Sequence, residues 1–87
     1  MNITVTGTLS FISERQLVKA SDRNDHTFLT LWIKTLETSY IAVTCWDDKI
    51  KKTEALELDE IVTLECRVES HRNKKKPDLF YHKVLLR

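Results

Sequence analysis

The stretch "YIAVTCWDDKI", residues 40–50, sorts its side chains by parity: Tyr40, Ala42, Thr44 and Trp46 on one, Ile41, Val43 and Cys45 on the other. Successive side chains of a strand point to opposite faces, so this order predicts a strand with an aliphatic core face and an opposite face of two aromatics separated by small residues. In a helix Tyr40 and Trp46 would point in different directions and the sorting would vanish. The strand reading spaces the two rings by roughly 20 Å, at about 3.3 Å per residue. Ala42 and Thr44 between them leave the surface low and open.

The same periodicity appears on both sides of this stretch. Upstream, "NITVTGTLSFIS" (2–13) alternates Ile3, Val5, Leu9 and Phe11 against Thr4, Thr6, Thr8 and Ser10, a half-buried strand. Gly7, the only glycine, stands at an apolar-parity position, where it predicts a bend or bulge of the kind that turns a barrel corner, with a simple packing role as the alternative. Residues 13–26 are mostly polar and carry the turn formers Asp22 and Asn24, which predicts a long loop or a loose hairpin connection. "TFLTLWIK" (27–34) then places Leu29, Leu31 and Ile33 on one face and Phe28, Thr30, Trp32 and Lys34 on the other.

Downstream, Asp47 and Asp48 stop the alternation as candidate helix caps, and "KIKKTEALEL" (49–58) predicts one or two helical turns ending near Leu58. Alternation returns in "EIVTLECRVESHR" (60–72), with Val62, Leu64, Cys66 and Val68 on the apolar side. "NKKKPD" (73–78), with the only proline, reads as a hairpin loop before a last strand in "LFYHKVLLR" (79–87). Three strands, a short helix and two more strands form the layout of a five-stranded OB-fold, a small Greek-key barrel. The SH3-like barrel is the structural rival, but it usually lacks a helix at that point.

Composition bounds the function. Eighty-seven residues make a single domain (1–87) with a small core, and 41% hydrophobic with 31% charged residues is globular composition. No apolar run reaches bilayer length and residues 1–12 lack signal-peptide character, so a cytoplasmic protein without membrane partners is expected. Cys45 and Cys66 lack the paired spacing of a zinc site and fall on apolar parity, which predicts buried free thiols. His26, His71 and His82 lie in different predicted elements, so neither a metal nor a cofactor is expected. There is no Gly-rich phosphate loop and no nucleophile with a base at local spacing, which argues against an enzyme.

Net charge is only +1, but it is distributed unevenly. Residues 47–60 hold six acids and three lysines, whereas "HRNKKK" (71–76) holds four permanent cations and no acid. Local charge is what a polyanion senses within a Debye length of roughly 10 Å.

"VTGTL" (5–9) and "YIAVTCWDDKIKKTEALELDEIVTLECRVES" (40–70) together resemble the bacterial and phage single-stranded DNA-binding proteins of the SSB type. The first is similar to that family's glycine-containing first strand. The second is similar to its aromatic and aliphatic alternation, second aromatic, short helix, turn and Val-rich fourth strand. The resemblance implies base stacking on Tyr40 and Trp46, with Trp32 at a second-strand position that is often aromatic or basic. It also implies a homodimer or homotetramer. Two departures stand out: Asp59 occupies a turn position where the family has glycine, and the chain ends at Arg87 without an acidic partner-recruiting tail. Small primosomal and phage relatives also lack that tail.

Sequence-independent single-strand binding needs flat faces for bases and cations for phosphates. Tyr40, Trp46 and Trp32 are the candidate faces. Lys34 beside them, Arg72, Lys74, Lys75 and Lys76 in the loop before the last strand, and Arg15, Lys19 and Arg23 in the first loop are the candidate cations. Two alternatives stay open: Trp46 can instead pack beneath the helix, and the lysine run can be a solvated hairpin tip. Phe28 and Phe80 are assigned to core or interface. The expected function is single-stranded DNA binding in replication or recombination. The alternatives are an OB-type protein-interaction or oligomerisation module, and a single-stranded RNA binder.

Overall fold

Period-two alternation becomes strand wherever the sequence shows it. The computed structural model describes residues 1–19 and 25–87. It comprises β1 (Asn2–Ile12), β2 (Gln16–Lys19), β3 (Asp25–Lys34), β4 (Tyr40–Trp46), a 3₁₀ helix (Asp47–Thr53), β5 (Ile61–Arg72) and β6 (Phe80–Leu86). The described residues are therefore all-β with one short helix, and their strands form a six-stranded mixed sheet in the order β1-β5-β6-β4-β3-β2. β1 also pairs with β3, so the ladder β1–β3–β4–β6–β5 returns to β1. All pairings are antiparallel except β4 with β6.

The aliphatic parity of each strand points inward. Leu9, Leu31, Ile33, Val43, Cys45 and Cys66 are fully buried, and Ile50 of the helix joins the same cluster. Cys45 and Cys66 are free thiols, as expected. Burial, reinforced by the neighbouring Cys66, pushes the Cys45 thiol up to about 12. Burial also raises Cys66, with a smaller push from Glu65. Neither thiol carries charge in the native core at neutral pH.

Four local expectations are corrected. The described residues form six strands and not five, because Gln16–Lys19 of the first loop pairs with β3, from Gln16 opposite Phe28 to Lys19 opposite Asp25. Leu17 and Val18 suit a strand, but a four-residue run among polar neighbours carries no period by itself. Asp22, Arg23 and Asn24 lie outside the described residues.

The helix is 3₁₀ and stops at Thr53 instead of Leu58. Its buried residues, Ile50 and Thr53, are three apart, the spacing that eclipses in a 3₁₀ turn, and the Thr53 hydroxyl donates to Ile50 O at 2.7 Å. No side chain caps its start.

Gly7 takes the packing role and not a bulge, since the β1–β5 register runs unbroken through it. A Cβ there would run into the Lys34 carbonyl oxygen and lie 2.8 Å from Ile33 Cγ2, so the glycine allows close approach of β1 to β3. The register shift between these strands falls between Leu9 and Phe11.

The departure at Asp59 is resolved by its backbone, which adopts φ 68°, the left-handed conformation that glycine normally supplies. Asp59 N donates to Leu9 O at 2.8 Å and Leu9 N donates to Glu60 O at 2.9 Å, so this turn docks on β1 before β5 begins. Thr38 and Asp47 also have positive φ, 64° and 48°. A chain with one glycine makes its left-handed turns from other residues.

Candidate nucleic-acid interface

Antiparallel register fixes the outward side chains of β3 and β4 in rows: Lys34 with Tyr40, Trp32 with Ala42, Thr30 with Thr44, and Phe28 with Trp46. β4 meets β6 only at Val43–Val84 and Thr44–Leu85. Beside this short seam lies an open groove of ≈ 530 Å³ lined by Phe28, Tyr40, Ile41, Ala42, Thr44, Trp46, His82, Lys83 and Val84. The face read from "YIAVTCW" therefore forms one wall of the groove.

Trp46 sits on this outer face. It is half-buried, lies outside the buried cluster, and packs its ring 4.9 Å from that of Phe28, tilted by 40°. Tyr40, 57% exposed, stands at the other end of β4. Trp32 is 39% exposed and lies between Ala42 of β4 and Phe11 of β1, one strand away from the groove.

Asp47 governs how the chain leaves Trp46. Its Oδ2 lies 2.9 Å from His26 Nδ1, and its Oδ1 accepts from Thr27 N at 3.0 Å. Asp47 was a candidate cap for the helix; instead it ties the end of β4 back to β3, beside the Phe28–Trp46 pair. The His26 hydrogen bond, followed by that from Thr27 N–H, lowers the Asp47 carboxyl below its ordinary value.

The candidate cations divide between the two ends of the groove. Because β6 runs parallel to β4, the loop preceding β6 lies at the Tyr40 end. That loop carries Lys74, Lys75 and Lys76, all exposed, and Asn73 Oδ1 orders it by accepting from Lys75 N at 2.9 Å and Lys76 N at 3.2 Å. Arg72 lies at the same end with its guanidinium 5.0 Å over the Phe80 ring, and Lys34 is there as the register partner of Tyr40. At the Trp46 end Lys19 is exposed at the end of β2, Arg15 pairs with Glu54 at 3.5 Å, and Arg23 lies outside the described residues. Most of the described candidate cations thus lie at the Tyr40 end.

Three groove residues were not singled out from sequence. Phe28, assigned there to core or interface, lines the groove as Trp46's neighbour; its shared parity with Trp32 and Lys34 was the available signal. His82 and Lys83 line it from β6. Only the parallel β4–β6 pairing brings them there, and no local pattern encodes a pairing between segments some forty residues apart. Phe80, likewise assigned to core or interface, is exposed beneath Arg72. The His82 ring is steadied by Ser70, whose Oγ lies 2.8 Å from Nδ1.

Among the described residues no group of three or more His, Cys, Asp or Glu side chains is placed to hold a metal ion, and no helix is long and apolar enough to cross a membrane. No protein-family model matches the chain, and no curated protein or solved structure matches it.

Proposed function

We propose that the protein is an OB-type barrel, extended by the β2–β3 hairpin, that binds single-stranded DNA without regard to sequence. The ladder β1–β3–β4–β6–β5, with its parallel β4–β6 step and a helix between β4 and β5, supports the barrel assignment. The observation that carries the function is the groove itself: aromatics at both ends of β4, small residues between them, and Lys83 on the facing wall. Bases stack on Trp46, Phe28 and Tyr40, each contributing about 1 to 3 kcal/mol. Phosphates follow Lys83, Lys34, Arg72 and the lysine loop at the Tyr40 end.

Both tryptophans lie on this face, so titration with oligo(dT) should quench intrinsic fluorescence, and affinity should fall steeply with salt. Tyr40→Ala should weaken binding about 10- to 100-fold with little change in stability, since Tyr40 is 57% exposed. A flat titration at low salt refutes the proposal. Parallel titration with oligo(U) separates DNA from RNA, because stacking alone does not distinguish the sugars.

A second reading, a module that joins copies of the chain into dimers or tetramers, is favoured by an apolar pocket of ≈ 500 Å³ at the β3–β4 turn. Its lining includes Leu36 and Ile61, 98% and 77% exposed. Exposed apolar surface of this kind marks interaction sites. The mass in solution, with and without oligonucleotide, decides between the two.

A further inference from the structure

The walls of the groove are two strands that part. β4 pairs with β3 along its whole length and β6 pairs with β5 along its whole length, yet β4 and β6 meet only at Val43–Val84 and Thr44–Leu85. Before that seam, Tyr40 and Ile41 have no register partner on β6, and Phe80, Tyr81 and His82 have none on β4. The parallel strands diverge as the two arms of a V, and the groove lies between them. Each arm presents a strand edge, a row of main-chain N–H donors and C=O acceptors facing the gap. A ligand with matching donors and acceptors can pair with such groups in place of solvent.

We propose that this slot reads the hydrogen-bonding edge of one base through the main chain. The inference rests on the single-strand binding proposed above and restricts its indifference to sequence to the stacking positions: at this one position a base is selected by hydrogen bonds as well as stacked. A base that enters between the arms, in contact with Tyr40, meets alternating amide donors and acceptors on either side. A thymine imide, acceptor-donor-acceptor, has the complement. The cations at this end suit a nucleotide better than an extended peptide, the other ligand that open strand edges take up. They are Lys83 in the wall, with Arg72 and the Lys74–Lys76 loop beyond it.

The test compares oligo(dT) with the same oligonucleotide built from N3-methylthymidine, which keeps the stacking face and the phosphates but removes the imide N–H. Unmodified oligo(dT) should bind about tenfold or more tightly, the effect of one hydrogen-bonded position left unsatisfied. Amide exchange gives the second readout: of the amides of residues 40–42 and 80–83, those that face the gap and not the β3 or β5 ladder should slow with oligo(dT) and remain fast with the methylated oligonucleotide. Equal affinity and equal protection overturn the slot proposal while leaving stacking intact. Absence of binding by oligo(dT) itself overturns the functional proposal beneath it. Slowed exchange with an extended peptide but not with oligo(dT) makes the slot a peptide site and overturns the inference.

Discussion

Gly7→Ala tests the seam that joins β1 to β3. β1 crosses from β5 to β3 at Thr8, and the contact with β3 positions Trp32 and Lys34 at its far end. An added methyl would overlap the Lys34 carbonyl oxygen and approach Ile33 Cγ2 at 2.8 Å. The first obstacle is main chain, in the register pair Thr8–Lys34, and cannot rotate away as a side chain end would. Overpacking of this kind costs about 1 to 3 kcal/mol. Replacing glycine recovers roughly 0.4 to 1 kcal/mol by restricting the unfolded chain, since Gly7 does not have positive φ. Because the obstacle is main chain the overpacking cost falls in the upper half of its range, so the net loss is about 1 to 2.6 kcal/mol, which for a domain of this size lowers Tm by roughly 4 to 20 °C. Thermal unfolding followed by circular dichroism measures it. Thr6→Ala is the control: it removes an exposed 3.2 Å hydroxyl contact with Thr63 and should stay within about 0.5 kcal/mol of the parent. An unchanged or raised Tm for Gly7→Ala would refute the close approach of β1 and β3.

Two further predictions concern the turn before β5 and the core. Asp59→Gly should stabilise the protein by about 0.5 kcal/mol, raising Tm by a few degrees, because it relieves a left-handed backbone at the cost of some added unfolded-state freedom; a fall in Tm would show that the aspartate side chain contributes more than its φ costs. Burial holds the Cys45 thiol protonated until about 12, whereas the unfolded thiol ionises near 9.0. Its contribution to stability is therefore complete below pH 9 and is lost as pH rises toward the native value, at about 1 kcal/mol per pH unit. Urea unfolding between pH 8 and 10.5 should show this slope reduced in Cys45→Ala relative to the parent, and equal slopes would contradict it.

Strand identity was legible because a chain this short buries one face of each strand, and burial writes itself into the sequence as alternation. "YIAVTCW" alone separated Val43 and Cys45 from Tyr40, Ala42, Thr44 and Trp46, and the same parity rule, applied to Phe28, would have added it to the groove. β2 was not legible, since four residues become a strand only when Asp25–Phe28 lies alongside.

The sequence by itself determined the five long strands, their apolar faces, the buried free thiols and the basic loop, because these follow from local period and composition. Tertiary structure decided three things that local period does not carry. The parallel β4–β6 pairing set His82 and Lys83 across the groove from β4, because contacts between distant segments depend on chain path. Asp47 turned from cap to cross-strand tie because β3 offered it a ring nitrogen and an amide. Asp59 took the glycine conformation because the hydrogen bonds to Leu9 offset the steric cost of left-handed backbone.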